Sequence, residues 1–385
     1  MTHPSPGYAG FEQGPIRPPS EANSLLIRVT RNCPWNRCAF CTTYKEQRFS
    51  LRPVEDVLRD ITSVHRYVTA LSQEAQESGR LSPEAALRRL GDTEPDRTAL
   101  YAARHWLAAG AESIFIQDAD SLIIKPANLL TILRFLRECF PWVRRITSYA
   151  RSHTVARLAP ADLRAMREAG LSRIHIGMES GSDRLLALVK KGVTQKEHIL
   201  AGRLVKEAGI ELSEYIIPGL GGKELSREHA LESAATLNAI NPDFIRLRTF
   251  AIPTADSELF LQNWPQGFIP LNDEEIAGEL ALFIEALTGI TSHLKSDHML
   301  NLFEDMDGVF PQDKERLAAM PQTFLALPEE KRLIYRVGRR LGFFTGLSDL
   351  ADTGKARQIE EYWQAAGITA DNINYFIGQI MRRFI

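Results

Sequence analysis

The stretch Leu25-Leu26-Ile27-Arg28-Val29 is a short, mostly apolar run, and three cysteines, Cys33, Cys38 and Cys41, follow directly after it. Such a run is typical of a buried β-strand. The strand therefore brings three thiols to its C-terminal end. This arrangement predicts a sheet that contains the strand and a functional site at the edge of that sheet.

The number of clustered cysteines limits what the site can bind. The chain has four cysteines in all, and the fourth is Cys139. Three thiols match neither a disulfide framework, which needs an even number, nor a zinc site, which needs four ligands. Three thiolates can hold three corners of a [4Fe-4S] cluster and leave the fourth iron open. On the cysteines alone, zinc with a distant fourth ligand and thiols that merely fill the core remain alternatives.

Composition excludes several classes of protein. The 46 basic and 48 acidic side chains nearly balance in the 385 residues, so we expect neither a nucleic-acid nor a membrane partner. No apolar run reaches membrane-spanning length, and the N-terminus lacks a signal-peptide pattern. These observations predict a soluble, cytoplasmic protein, in a compartment where thiols stay reduced.

Short β-like runs alternate with amphipathic helical stretches along the chain, which is the pattern of a parallel α/β fold. Six such units predict a partial (β/α)6 TIM-like barrel, and in barrels of this kind reactive groups lie on loops after the strands. Strands are predicted at residues 24–30, 113–117, 145–149, 173–177, 211–217 and 244–250. Helices are predicted at residues 54–67, 127–139, 161–169, 182–190, 196–208 and 227–239.

The remaining segments predict the domain organisation. Residues 1–20 are rich in Pro and Gly and are expected to lie loosely on the surface. Residues 21–255 form the barrel, with a helical insertion at about 69–111 that is longer than an ordinary connection. A barrel-flanking extension covers residues 256–312, and a small all-helical appendix covers residues 313–385.

Polar side chains follow the second and third predicted strands. Asp118 and Asp120 come after the second strand, and Ser148 and Arg151 end the third. The carboxylates can accept hydrogen bonds from an ammonium group, and Arg151 can reach a carboxylate. The alternative for the two aspartates is that they cap the next helix or face water.

Three later strands also end in unusual residues. Glu179 follows the fourth strand, where a buried carboxylate needs water or a ligand. Gly219 and Gly221 follow the fifth strand and allow a flat ring to approach the backbone, although glycines here also suit a plain turn. Arg246 and Arg248 are two residues apart on the sixth strand and are predicted to share a face, where they meet an anion or pair with acidic residues.

The cysteine spacing Cys-x4-Cys-x2-Cys, with Phe40 before the last cysteine, resembles the signature of the radical S-adenosylmethionine (SAM) superfamily. It has one residue more between the first two cysteines than the commonest form. The segment from Ile174 to Ser182 is similar to the fourth-strand segment of the radical SAM group that contains methylthiotransferases, cobalamin-binding members and coproporphyrinogen dehydrogenase. The resemblance covers about Leu25 to Ile252, with four segments in the same order.

The resemblance implies an enzyme that binds a [4Fe-4S] cluster through Cys33, Cys38 and Cys41. The reduced cluster would cleave SAM to a 5′-deoxyadenosyl radical that attacks the substrate. The Gly-Gly-Glu form of the motif that binds the amino group of SAM is absent here, so Asp118 and Asp120 would have to substitute for it. The resemblance also implies that residues at the strand ends contact SAM. These are Asp118, Asp120, Ser148, Arg151, Glu179, Ser180, Gly219, Gly221, Arg246 and Arg248.

The substrate is expected to be a small molecule, with flavodoxin or ferredoxin as the electron donor. Alternatives are a radical SAM enzyme that modifies tRNA or protein, and a non-catalytic carrier of iron–sulfur or another cofactor on the same fold. No cysteine follows Cys139, so no cysteine-ligated second cluster is expected. Cys139 itself is interpreted as a small core residue.

Two features beyond the barrel are open. The polar stretch 292–298 contains His293 and His298 and is interpreted as a surface turn or as a segment folded over the barrel mouth. Arg336, Arg339 and Arg340 fall on one helical face, which is interpreted as a solvated stripe.

Overall fold

The computed structural model describes residues 7–251 and 257–381. The first six residues of the predicted N-terminal segment, the predicted domain boundary at residue 255 and Ile252 lie outside the described residues. Two compact units are present. The first contains residues 7–36, 43–176 and 204–211, and the second contains residues 37–42, 177–203, 212–251 and 257–381.

The first unit is built on parallel strands. Strand β1 pairs with β4, β4 with β5, and β5 with β6, while the short strands β2 and β3 form an antiparallel pair. Strand β6 continues into the second unit for its last three residues. The strands are β1 (Leu25–Arg28), β2 (Thr30–Arg31), β3 (Ser50–Leu51), β4 (Ser113–Gln117), β5 (Arg145–Ala150) and β6 (Leu171–Glu179).

Apolar runs explain these strands. Ile114, Phe115 and Ile116 of β4 are each 0% exposed, so both faces of this strand are covered, as in parallel sheets of α/β proteins. Around the strands lie α1 (Val54–Ser78), α2 (Pro83–Leu90), α3 (Arg97–Ala108), α4 (Pro126–Cys139), α5 (Ser152–Val155) and α6 (Pro160–Glu168).

The helical insertion is present, as predicted. Helix α1 continues eleven residues past its predicted end at Tyr67 and stops at Gly79, which takes the left-handed conformation with φ +72°. Helices α2 and α3 follow. The side chain of Ser82 caps the start of α2 and that of Asp96 caps the start of α3, each by accepting a hydrogen bond from a backbone N–H.

Residues of the N-terminal segment make contacts within the first unit. The Glu12 carboxylate pairs with Arg28 at 2.7 Å and Arg31 at 2.8 Å. The Tyr8 hydroxyl donates to Asp60 at 2.8 Å. Ion pairs and hydrogen bonds thus hold part of the stretch that was expected to lie loosely on the surface.

The second unit continues the alternation of strands and helices. Strand β7 pairs in parallel with β8, and β8 with β9, while β10 is antiparallel to β9. The strands are β7 (Glu211–Ile216), β8 (Phe244–Leu247), β9 (His293–Lys295) and β10 (Asp307–Val309). The helices are α7 (Asp183–Leu188), α8 (Gln195–Glu207, ending in the first unit), α9 (Gly222–Ile240), α10 (Ser257–Leu261), α11 (Asp273–Ala286), α12 (Lys314–Ala326), α13 (Glu329–Arg340), α14 (Thr353–Ala365) and α15 (Ile373–Met381).

The predicted fold class is confirmed: the chain is an α/β protein with a mostly parallel sheet, compatible with a partial TIM-like barrel, and its C-terminal part is helical. Three short strands, β3, β9 and β10, were missed. The stretch 292–298, which was interpreted as a surface turn or as a segment over the barrel mouth, contains β9. This strand forms by pairing with β8. In the described part of the chain, none of the helices combines the length and the apolar character needed to cross a membrane.

The interpretation of the α13 arginines as a solvated stripe is wrong. Arg336, Arg339 and Arg340 are 3%, 3% and 6% exposed. Each is paired with an acidic side chain, because burial of a guanidinium requires a partner. Sequence spacing places the three on one face but does not show which face is covered.

Candidate functional site

The cysteine segment begins in the first unit. Cys33 follows β2 and is partly exposed, and its Sγ accepts a hydrogen bond from the backbone N–H of Asn36 at 3.4 Å. Trp35 lies in the same loop, and the guanidinium carbon of Arg151 is 5.1 Å from its ring centroid. The predicted site residue Arg151 therefore stacks on the cysteine loop by a cation–π contact.

Cys38 and Cys41 belong to the second unit. Cys38 is buried and Cys41 is partly exposed. The residues between them are anchored: the Ala39 N–H donates to the Val189 carbonyl at 2.9 Å, and Ala39 and Phe40 pack in an apolar cluster with Leu185. This half of the segment is thus fixed on the end of α7.

The three thiols of the cysteine segment are suitable ligands for an iron–sulfur cluster. All four cysteines are thiols, and the described residues contain no group of three or more His, Cys, Asp or Glu side chains already arranged around a metal ion. The chemistry of the donors nevertheless fits iron: three soft sulfur ligands occur on one short segment, and a backbone N–H faces the sulfur of Cys33. We therefore treat Cys33, Cys38 and Cys41 as the residues that would hold an iron–sulfur cluster.

Asp118 is fully buried beside this segment in the first unit. Its carboxylate accepts hydrogen bonds from Arg28 at 2.8 Å, from the backbone N–H of Asn32 at 3.2 Å and from the Tyr44 hydroxyl. Asn32 precedes Cys33, and Tyr44 is three residues after Cys41. Asp118 therefore holds chain on both sides of the cysteine segment, and its predicted contact with the ammonium of SAM stays a prediction.

The neighbouring predicted residues also bind protein groups. Asp120 accepts from the Arg151 backbone N–H at 3.1 Å and from the Thr154 hydroxyl at 2.5 Å, so it binds the start of α5 rather than capping the next helix in the chain, which was the alternative. The Ser148 hydroxyl, 1% exposed, donates to the Ile116 and Tyr149 carbonyls at 3.3 and 3.1 Å. These contacts orient the end of β5.

Glu179, in the second unit, is held by a lysine. Lys191 Nζ donates to the Glu179 carboxylate at 2.9 Å, and their side chains are 11% and 13% exposed. The same Nζ lies 5.8 Å from the ring centroid of Phe40, next to Cys41. Glu179 has a left-handed backbone with φ +66°, which is uncommon for a residue other than glycine and occurs often at functional sites.

Glu214 is a buried acidic residue that the sequence motifs did not indicate. It lies within β7 and is 0% exposed, and neither carboxylate oxygen has a hydrogen-bond partner in the described part of the chain. Burial raises the pKa of Glu214 well above its ordinary value, the charge of Glu179 raises it further, and Lys191 opposes the rise. The sequence contains no clear signal for Glu214, because β7 (Glu-Leu-Ser-Glu-Tyr-Ile) is half polar and also contains Glu211.

The raised pKa predicts a pH-dependent stability. Above the ordinary carboxyl pKa of 4.5, the folded state retains a proton on Glu214 that the unfolded state releases, so the free energy of unfolding falls as the pH rises toward the folded-state pKa. Glu214→Gln is expected to remove a slope of up to about 1.4 kcal/mol per pH unit. Urea unfolding from pH 5 to 8 measures it.

Glu211→Gln is the matched control for this prediction, because it removes a half-exposed carboxyl from the same strand. We expect the Glu211→Gln profile to follow that of the wild type. Parallel profiles for Glu214→Gln and the wild type would show that Glu214 does not retain its proton.

The loop after β7 is shaped by a buried carboxylate. Gly219 has φ +85°, and its N–H donates to Glu279 at 2.7 Å. A Cβ on Gly221 would lie 3.0 Å from the backbone of Leu225, so the first turn of α9 packs tightly there. Ser180, 0% exposed, donates to or accepts from His229 Nδ1 at 2.9 Å.

The two arginines of the sixth predicted strand differ in their exposure to solvent. Arg246 is 2% exposed and pairs with Asp297, whereas Arg248 is exposed. Strand β8 ends at Leu247, so the two-residue alternation does not reach Arg248. Burial, and then Arg248, lowers the pKa of His298 to about 4, with Asp297 opposing the shift.

Comparisons with known proteins identify the family. The model of the Radical SAM superfamily matches residues 27–234, which is more than half of the chain. The tRNA uridine(34) acetyltransferases of Methanocaldococcus infernus and Methanocaldococcus jannaschii are 25% and 23% identical over 116 residues, which is 30% of this chain. The chain spans about a fifth (21%) of the length of these curated relatives.

Solved structures give more distant similarity. Coproporphyrinogen III oxidase from Escherichia coli is 14% identical, with 68% of this chain and 52% of that chain covered and a TM-score of 0.46. The cobalamin-dependent SAM radical enzyme OxsB is 14% identical, with 92% and 57% covered and a TM-score of 0.44.

This chain belongs to the radical SAM superfamily. The family match therefore defines the protein as an enzyme of that class. The cofactors of this superfamily are a [4Fe-4S] cluster and SAM.

Proposed function

We propose that the protein binds a [4Fe-4S] cluster through Cys33, Cys38 and Cys41 and cleaves SAM reductively to act on a small-molecule substrate. The family match over residues 27–234 carries this proposal, because it contains all three cysteines. The thiols on one short segment support it. The bound cluster supplies the electron that breaks SAM and yields a 5′-deoxyadenosyl radical.

The residues of the chain bind and orient. In this proposal, Asp118 fixes the cysteine segment, and Arg151 and Ser148 order the end of β5 near the methionyl group. Glu179 and Ser180 accept from the ribose or amino group of SAM. Gly219 and Gly221 offer backbone to the adenine. In this proposal the residues that contact SAM are Asp118, Asp120, Ser148, Arg151, Glu179, Ser180, Gly219, Gly221, Arg246 and Arg248.

The superfamily needs a reductant, and we assign this role to flavodoxin or ferredoxin. We place the protein in the cytoplasm, because the proposed ligands are reduced thiols that persist in a reducing compartment.

Anaerobic reconstitution with iron and sulfide, followed by dithionite and SAM, tests the proposal. We expect about four irons per chain and slow release of 5′-deoxyadenosine. Iron without SAM cleavage, even with added metabolite pools, would favour the carrier alternative. Zinc in place of iron would overturn the proposal.

Glu179→Gln is expected to weaken SAM binding about tenfold without changing the iron content, since a hydrogen bond to a charged acceptor is worth about 1.5 kcal/mol more than one to a neutral acceptor. Equilibrium binding of SAM to the reconstituted protein measures this. Glu224→Gln is the control, because Glu224 pairs with Arg184 and both are substantially exposed. Equal affinity in wild type and Glu179→Gln would remove Glu179 from the SAM site.

The two curated relatives support a second candidate, a radical SAM enzyme that modifies tRNA, over the 116 residues that they share with this chain. The nearly neutral charge balance gives no support for a strong nucleic-acid contact. Added tRNA that accelerates 5′-deoxyadenosine release, when small molecules do not, would favour this candidate.

A further inference from the structure

Helix α9 carries a buried histidine between two of the loops proposed to meet SAM. His229 is 1% exposed. Its Nε2 lies 3.0 Å from the Ile217 carbonyl oxygen, in the loop after β7, and its Nδ1 lies 2.9 Å from the Ser180 hydroxyl, in the loop after β6. A carbonyl only accepts hydrogen bonds, so Nε2 carries the hydrogen that it donates to Ile217. One imidazole ring therefore joins the two loops.

The backbone of these loops is held at further points. The Ile217 N–H donates to the Glu179 carbonyl at 3.1 Å, so Ile217 is bound through both of its backbone groups. The Ser233 hydroxyl accepts the Gly181 N–H at 2.9 Å. Ser233 is four residues after His229 in α9, and residues at this spacing share one face of a helix. That face of α9 thus binds both loops.

A buried carboxylate from a second helix completes the arrangement. Glu279 of α11 is 5% exposed. One of its oxygens accepts the Gly219 N–H at 2.7 Å, and the other accepts the Ser226 hydroxyl at 2.6 Å. Its Oε1 lies 3.9 Å from His229 Nε2. Glu279 therefore ties the loop after β7 to the start of α9, beside the histidine that ties the same loop to the loop after β6.

Fixed loops favour a ligand that binds to their backbone, because a loop that must be ordered on binding lowers the affinity. We propose that His229 and Glu279 are positioning residues that hold the loops after β6 and β7 in the arrangement that binds the adenosine part of SAM. Neither residue touches SAM in this proposal. The role rests on the proposed function, which places adenine at Gly219 and Gly221.

Two substitutions separate the two contacts of the imidazole ring. The amide of asparagine lies near the Nδ1 position of histidine, and the amide of glutamine lies near the Nε2 position. His229→Asn should therefore keep the contact with Ser180 and lose the bond to Ile217. His229→Gln should do the opposite.

Glu279 offers a second pair of variants. Glu279→Leu removes both of its hydrogen bonds, whereas Glu279→Gln keeps an acceptor for the Gly219 N–H. Asn238→Ala is the matched control, because Asn238 of α9 binds the end of α11 and the residues that follow it. Its side chain donates to the Ala286 carbonyl and accepts the Thr288 N–H, each at 2.9 Å. The control thus removes two hydrogen bonds that do not involve either loop.

Hydrogen exchange of the full chain without cofactors tests whether these residues hold the loops. His229→Asn and Glu279→Leu should speed exchange in the peptide 217–222 about tenfold, and His229→Gln should do so in the peptide 179–182. Glu279→Gln and Asn238→Ala should stay close to the wild type in both peptides. Unchanged exchange in His229→Asn and Glu279→Leu, or an equal increase in Asn238→Ala, would overturn the proposal.

Titration of the reconstituted protein with 5′-deoxyadenosine and with methionine tests the link to SAM. His229→Asn and Glu279→Leu should bind 5′-deoxyadenosine about tenfold more weakly than the wild type and methionine equally well. A general loss of structure weakens both ligands, so an equal loss for both would overturn the positioning role. If exchange responds as expected but the wild type binds neither ligand nor SAM, the proposed function is overturned, while the holding of the two loops stands.

Discussion

Replacing Cys38 with alanine is expected to abolish SAM cleavage and to leave fewer than four irons per chain, while the chain remains folded. Cys38 is one of the three thiols proposed to ligate the cluster, and two thiolates do not hold it stably. The residue lies on a loop, so the strands do not depend on it. Iron analysis, the visible absorption of the reconstituted protein and circular dichroism measure the three effects.

Cys139→Ala is the control for this experiment. Cys139 is the last residue of α4, and burial, with a smaller contribution from Glu138, raises the pKa of its thiol to about 11. A thiol that stays protonated at neutral pH is a poor ligand. The control should therefore keep its iron and its SAM cleavage. Unchanged iron in Cys38→Ala, or equal loss in both variants, would contradict the assignment of the three ligands.

Asp118→Asn is expected to lower the free energy of unfolding by about 2 kcal/mol, because the hydrogen bonds to a buried charged acceptor are weakened while Arg28 keeps its ion pair with Glu12. The Asp118 carboxylate is 0% exposed and faces Arg28, which is 12% exposed, at 2.8 Å. The substitution also weakens the bonds from Asn32 and Tyr44 that hold the chain around the cysteines. We therefore expect iron to be lost from the reconstituted variant faster than from the wild type.

Asp352→Asn provides the comparison. Asp352 begins α14 by accepting the Gly354 and Lys355 N–H groups at 3.1 Å with one oxygen, and asparagine caps a helix about as well as aspartate. Urea unfolding and the rate of iron release to a chelator should both remain close to those of the wild type. If Asp118→Asn loses stability but keeps its iron as long as Asp352→Asn does, Asp118 supports the fold without positioning the cysteine segment.

The sequence predicted the strands of the parallel sheet well, because each is a dense apolar run whose character is local. Strand β4 was predicted without error, and β7 within one residue. Strands β3, β9 and β10 were not found, since each has only two or three residues and exists by pairing with another strand. For such segments the pairing partner decides the conformation.

The candidate site shows the same division. The Cys33, Cys38 and Cys41 pattern and the polar residues after the strands are visible in the sequence because spacing and residue type identify them. The sequence does not show that Glu214 is buried, or that its carboxylate lacks a hydrogen-bond partner within the described part of the chain. Both properties depend on the residues that surround β7. The difference in exposure between Arg246 and Arg248 likewise depends on the surroundings of β8, which ends at Leu247.

By itself, the sequence determined the α/β class, the helical insertion and the thiol segment, because apolar periodicity, caps and cysteine spacing act over a few residues. Only the tertiary structure decided that Asp118 binds chain on both sides of that segment and that the α13 arginines are buried. It alone joined the loops after β6 and β7 to α9 and α11 through His229 and Glu279. Burial and charge pairing join residues far apart in the chain, and these contacts determine which charges are neutralised within the protein and which remain available to a ligand.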